Sequence, residues 1–364
     1  MELQDYLELA VKSNASDIYI GAGRKVFFKI NNLFSSPHEE VLNTAKTEEL
    51  VSGLYKMADR SMEHYRQTGD DDFSIHIEGT ARFRVSACRQ RGTMVAVIRV
   101  VPFGIPNYTD LHIPDEVMGV ANEKCGLVLV TGSAGSGKTT TLACILDSIN
   151  KTRNCHIITL EDPIEYLHTD DKSVFTQREI SIDTGSYITA LRACLRQAPD
   201  IVLLGEMRDL ETIGTAMTAA ETGHLVISTL HTFGAVNTID RIIDVFPPAQ
   251  QQQMRTQLSM VLKVVVSQRL LPDISGKLVP AFEIMHANNA IRTLIREGKT
   301  HQINTVIRTS HNEGMIAMDT YILKLYKEGL ITAKTVIDNA VNSEQVLPSL
   351  DLSSLFAERE VRTS

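Results

Sequence analysis

The spacing of apolar positions changes character twice along the chain. At the start, Leu3, Tyr6, Leu7 and Ala10 recur at helical spacing, and Asp17-Ile-Tyr-Ile20 then reads as a short strand. Further strands are expected at 26–30, 73–77, 81–88 and 93–100, with a helix at 50–57 between them. Strand-rich sequence with two helices predicts a small α+β domain over residues 1–102.

Val101-Pro-Phe-Gly-Ile-Pro106 places two Pro and one Gly in six residues, the composition of a connector, and a linker is expected over 103–112. From Ile113 the pattern becomes uninterrupted apolar runs alternating with helical stretches. The runs at 126–131, 157–160, 201–204 and 225–229 predict a parallel sheet covered on both faces, an α/β core over 113–275. A long helix is expected at 250–266, a short one at 290–297 and an amphipathic one at 315–328, giving a helical region over 276–342. The polar, Ser-rich stretch 343–364 is expected to fray.

Composition narrows the picture. At 364 residues, with 43% hydrophobic and 22% charged positions, the chain has room for two cores of ordinary globular make-up. A net charge of −8 lacks the footprint of a nucleic-acid binder, and none is expected as a partner. No apolar run is long enough to span a bilayer, and the first residues lack the profile of a signal peptide, so a cytoplasmic location is expected. The five Cys form no CxxC pair and read as small core residues.

The strongest chemical signal is Gly132-Ser-Ala-Gly-Ser-Gly-Lys-Thr139, which fits GxxxxGK[ST] between an expected strand and an expected helix beginning at Thr140. Glycines let the backbone wrap around phosphate, and the helix N-terminus adds a field that favours anions. The candidate nucleotide contacts are Gly132, Ser133, Ala134, Gly135, Ser136, Gly137, Lys138, Thr139 and Thr140. Lys138 is expected at the β- and γ-phosphates of ATP and the Thr139 hydroxyl on Mg²⁺.

Glu206 ends the run Asp200-Ile-Val-Leu-Leu-Gly-Glu206, at the strand edge where open α/β sheets bind ligands, and is the candidate to polarise water. Gly-Glu replaces the usual strand-end Asp, which leaves more of the Mg²⁺ to Thr139. Glu161-Asp-Pro-Ile-Glu165 puts further carboxylates at another strand end; an acidic turn around Pro163 reads equally well. His224 and His231 bracket the strand at 225–229 and are candidate phosphate sensors, with a structural role as the plain alternative. Arg82, Arg84, Arg89, Arg91 and Arg99 make a dense cationic stretch in an acidic chain; they read either as charges offered across an interface or as the solvated face of a hairpin.

Together these segments resemble the secretion ATPase superfamily of type II and IV secretion and type IV pili, and in particular the PilT-type retraction ATPases, over about residues 1–340. The likeness lies in Gly132 to Thr140 (Walker A), Glu161-Asp-Pro-Ile-Glu165 (Asp box), Gly205-Glu-Met-Arg-Asp-Leu-Glu-Thr212 (Walker B) and Thr222-Gly-His-Leu-Val-Ile-Ser-Thr-Leu-His-Thr232 (His box). The resemblance implies a PAS-like N-terminal domain before a RecA-like P-loop core. It makes Glu206 the catalytic glutamate, Glu165 the Asp-box acid, His224 and His231 the His-box residues, and Arg84 and Arg99 candidate trans arginines.

Ala290-Ile-Arg-Thr-Leu-Ile-Arg-Glu297 is similar to the AIRNLIRE motif of retraction ATPases, with Thr293 for Asn, and makes Ala290, Ile291, Arg292, Leu294 and Ile295 candidate retraction residues. The four-Cys motif and longer N-terminal region of assembly ATPases are not seen. Asn14-Ala-Ser-Asp-Ile-Tyr-Ile20 resembles the family's ASDLHL segment, while Arg24-Lys-Val-Phe-Phe-Lys-Ile30 replaces its Pro-Pro stretch. The implied function is a homohexameric ATP-driven motor for pilus retraction, acting with an inner-membrane platform protein at the cytoplasmic face. An assembly or secretion ATPase, a DNA-acting RecA-like ATPase and a nucleotide-binding scaffold without turnover are the alternatives.

Overall fold

The computed structural model describes residues 1–30, 33–77, 80–101 and 104–351. They divide into two compact units, Met1–Gly104 with Glu165–Leu167, and Ile105–Ile164 with His168–Ser364.

The first unit is an antiparallel sheet, with strands β1 (Asp17–Gly21), β2 (Phe27–Ile30), β3 (Leu33–Ser35), β4 (Asp70–Ile77), β5 (Ala81–Gln90) and β6 (Thr93–Val101) in the order β3-β2-β1-β6-β5-β4. Helices α1 (Leu3–Lys12), α2 (Thr44–Met57) and α3 (Glu63–Thr68) complete it. Period-two alternation sets the layers. Ala81, Phe83, Val85 and Ala87 of β5 are buried in one cluster with Tyr6 and Leu7 of α1 and Leu50, Val51 and Leu54 of α2. Arg84 alternates to the other face and pairs in register with Arg99. Like charges directly opposite repel, and Asp17, in register with Arg99 on the other side, relieves this: its Oδ1 lies 3.1 Å from Arg99 Nε. β3 was not expected, because its three residues are all exposed and carry no alternation.

The second unit is a seven-stranded sheet formed by β7 (Gly126–Thr131), β8 (His156–Glu161), β9 (Val174–Glu179), β10 (Ile201–Leu204), β11 (Leu225–Leu230), β12 (Leu262–Pro272) and β13 (Leu278–His286). Their order is β13-β12-β7-β11-β10-β8-β9, parallel except for β13. Every residue of β7, β10 and β11 is buried. Successive residues serve opposite faces: Leu127 and Leu129 join one core, Val128 and Val130 the other.

Helices α4 (Asp115–Met118) and α5 (Lys138–Thr152) cover the second of these faces, together with α12 (Met318–Lys327), α13 (Ala333–Asn339) and α14 (Ser343–Val346). The first is covered by α6 (Tyr187–Cys194), α7 (Leu210–Glu221), α8 (Ala235–Asp244), α9 (Pro248–Val261), α10 (Asn289–Arg296) and α11 (Ile303–Thr309).

Four expectations change. The helix expected at 250–266 ends at Val261, and β12 follows at once, because the β-branched run Val264-Val265-Val266 pairs with Val128, Leu129 and Val130 of β7. The region expected to be helical from 276 opens with β13, paired along its whole length with β12, so the core sheet extends past 275. In the expected linker, Ile105, Tyr108 and Leu111 pack against the core, while Pro102 and Phe103 lie outside the described residues. The stretch expected to fray from 343 instead begins with α14, whose Val346 is fully buried; residues 352–364 lie outside the described residues.

Candidate functional site

The loop from Gly132 to Gly137 joins β7 to α5 and is walled by Gln268 of β12. At Gly132, with φ of 145°, a Cβ atom would stand 2.3 Å from the Gln268 carbonyl oxygen; at Gly137, with φ of 85°, it would stand 2.9 Å from Gln268 Nε2. Only glycine fits either place. The Gln268 side chain is fixed in turn by Thr141 Oγ1, which donates to its Oε1 at 2.8 Å. No side chain caps the N-terminus of α5, so its first N–H groups remain available to an anion.

Lys138 is buried, and its Nζ donates to the carbonyls of Gly132 (3.0 Å) and Ser133 (2.8 Å), the groups that curl the loop. Ser136 is also buried, and its Oγ has no hydrogen-bond partner among the described residues. A buried hydroxyl and an ammonium inside an uncapped glycine turn fit a polyphosphate. Thr139, half-buried beside Lys138, is the hydroxyl that would complete a Mg²⁺ site with that phosphate.

Gly205 and Glu206 follow β10 on the same sheet edge. A Cβ at Gly205 would lie 2.7 Å from the Tyr187 hydroxyl and 3.3 Å from the Leu160 carbonyl, which accounts for Gly ahead of the acid. Burial, and then Asp162, Glu206 and Glu161, push the Tyr187 phenol well above its ordinary pKa, so it stands as a neutral group among carboxylates.

The Glu206 side chain is only 13% exposed. Its Oε1 is ion-paired with Arg208, and its Oε2 is buried, without a hydrogen-bond partner among the described residues, 3.7 Å from His231 Nε2. His231 Nδ1 lies 3.5 Å from Lys138 Nζ. One imidazole therefore stands between the loop lysine and the strand-end carboxylate.

Among the other candidates of this unit, Glu161 shares the strand edge of Gly205 and His224 does not. His224 is at the opposite end of β11, where its Nδ1 lies 3.0 Å from the Ala219 carbonyl in the last turn of α7; it closes that helix and does not approach Lys138 or Glu206. Glu161 ends β8, buried, accepting from Thr159 Oγ1 at 2.6 Å. Glu165 is exposed and, like Arg84 and Arg99, falls in the first unit.

In α10, Ile291 and Ile295 are fully buried and Leu294 packs on the same core. Arg292 donates to the carbonyls of Ser259 (2.5 Å), Met260 (2.9 Å) and Leu262 (3.0 Å), capping α9, and burial lowers its pKa. Of the candidate retraction residues only Ala290 is exposed. Arg208 and Arg241, which line the cleft beside Glu206, were not singled out from the sequence. Arg208 stood inside a recognised segment, whereas Arg241 carried no signal beyond a charge on the polar side of α8.

The type II/IV secretion system protein family matches residues 2–302. The chain is 41% identical over 340 residues to the "Type IV pilus retractation ATPase PilT" of Pseudomonas aeruginosa, covering 93% of this chain and 98% of that one. It is 45% identical over 291 residues to a twitching motility protein of Neisseria gonorrhoeae, covering 80% of this chain and 78% of that protein. A crystal structure of the pilus retraction motor PilT with bound ADP superposes with a TM-score of 0.89 at 41% identity, covering 95% of this chain and 98% of the other. The α/β class, with an N-terminal unit ahead of a RecA-like core, stands as expected. With the family model matching residues 2–302 and a relative 41% identical over 93% of the chain, the chain belongs to the type II/IV secretion system protein family.

Proposed function

We propose that this chain is an ATP-hydrolysing motor that drives retraction of type IV pili. The observation that carries the reading is the likeness to a pilus retraction ATPase over 93% of the chain, with the Lys138 loop and Glu206 on one sheet edge. Lys138 exchanges its loop carbonyls for the β- and γ-phosphates, and the N–H groups at the start of α5 hold the rest of the polyphosphate. Mg²⁺, held through Thr139 and the phosphates, would neutralise charge on the transferring group.

Glu206 Oε2, the free acceptor beside His231, orients the attacking water and takes its proton as oxygen bonds to the γ-phosphorus. The bond from that phosphorus to the bridging oxygen breaks, and ADP leaves with the electron pair. His231, near both Lys138 and Glu206, is placed to register the presence of the γ-phosphate.

We further propose that Glu165 is the Asp-box acid of the catalytic set, and that the chain forms a homohexameric ring in which Arg84 and Arg99 complete a neighbour's site. Its partner is a platform protein at the cytoplasmic face of the inner membrane. No helix among the described residues is long and apolar enough to cross a membrane, in keeping with peripheral attachment. Lys138→Ala is expected to abolish hydrolysis, and cells lacking the gene are expected to be over-piliated and unable to retract. Normal turnover in the variant would remove the ATPase assignment; loss of pili in the deletion strain would favour an assembly motor.

A further inference from the structure

We propose that the cleft beyond Glu206 is a seat for inorganic phosphate, the product of the hydrolysis inferred above; the proposal rests on that reading. The cleft holds about 400 Å³ and lies between the segment after β10 and helix α8. Its polar lining comes from Glu206, Arg208, Thr229, His231, Thr232 and Arg241.

Charge decides what it takes. Arg208 is engaged by Glu206, so that pair is neutral as a unit. Arg241 is exposed, and its guanidinium has no hydrogen bond or ion pair among the described residues. The cleft therefore carries one positive charge in excess, before any proton on His231 is counted. The Thr229 and Thr232 hydroxyls already donate to the Gly205 carbonyl and to Thr238, which leaves the guanidinium fork of Arg241 as the donor that suits a tetrahedral oxyanion.

Position points the same way. Water attacks in line, from the side of the phosphorus remote from ADP, so inversion carries the phosphoryl group away from ADP and toward the carboxylate that oriented the water. Lys138 marks the ADP side, Glu206 the water side, and His231 stands between them. The cleft begins at Glu206 and His231 and runs on to Arg241. The product is thus delivered to its mouth, and Arg241 sets how long it stays.

The test is product inhibition of the full chain, followed by ADP formation so that phosphate can be added freely at constant ionic strength. Wild type should be inhibited by inorganic phosphate below about 50 mM, and Arg241→Ala should raise the inhibition constant at least about fivefold, with Arg241→Lys between them. Inhibition by ADP should change less than about twofold, because ADP is held by the loop and not by the cleft. An unchanged phosphate constant overturns the proposal, as do equal shifts for phosphate and ADP and a wild type indifferent to phosphate. Dissociation of the Arg241→Ala assembly by light scattering also overturns it and assigns Arg241 to a subunit contact. Absence of any ATP turnover in wild type is a different failure, that of the functional reading itself.

Discussion

At the scale of single residues, the two oxygens of Glu206 have different surroundings: one is held by Arg208, and the other is buried without a hydrogen-bond partner among the described residues, as the proposed base requires. Glu206→Gln keeps the shape and loses the base, so hydrolysis should fall about 10²- to 10⁴-fold while nucleotide binding, measured by fluorescent-analogue titration, stays near wild type. His168 offers a test of stability. It stacks on Phe175 at 4.4 Å, its Nδ1 is buried without a partner among the described residues, and burial pushes its pKa down to about 4. The imidazole binds protons more weakly folded than unfolded, so its contribution to stability is complete above the ordinary value near 6.5 and is lost as pH falls toward 4. Chemical denaturation should show a loss of up to ~3 kcal/mol over that window, flattened in His168→Phe. The position of Glu206 just past β10 was legible because the buried run Ile201 to Leu204 ahead of it marks the strand. His224 stands apart from His231 for a geometric reason: a six-residue strand spans about 20 Å, so the residues flanking it do not meet within one chain.

At the scale of elements, local pattern served well where one period ran unbroken and failed where a partner decided. Leu3, Tyr6, Leu7 and Ala10 mark α1 from its own sequence, and β5 alternates cleanly. The turn from α9 into β12 is invisible locally, since Val264 to Val266 is compatible with either state until β7 lies beside it. Arg292 seals that junction from another helix, 30 residues beyond Leu262. Arg292→Ala should destabilise the second unit by about 2 kcal/mol, read as a lower melting temperature, because three carbonyls lose a charged donor. Loss of retraction in that variant would then report on packing as much as on a docking face. Variants at exposed Ala290 and Arg296 separate the two.

At the scale of the whole molecule, the proposed ring divides each site between subunits, and complementation measures this directly. Arg99→Ala and Glu206→Gln chains should each be nearly inactive alone and regain part of the wild-type rate when mixed, since some interfaces would then hold both intact halves. No recovery would mean that each chain completes its own site. The order of strands across the second unit, unlike the motifs, could not be read from the chain, because β12 enters the sheet beside β7 from far along the sequence. That placement bears on how small a working core can be. A fragment ending at Pro247 would keep the phosphate loop, both acidic boxes and the His box, and would pass any motif search. It would lack Gln268, the wall against which Gly132 and Gly137 are shaped, and with it the partner of Thr141. Such a fragment should fail to retain nucleotide, so the smallest unit that binds ATP is set by the sheet and not by the motifs.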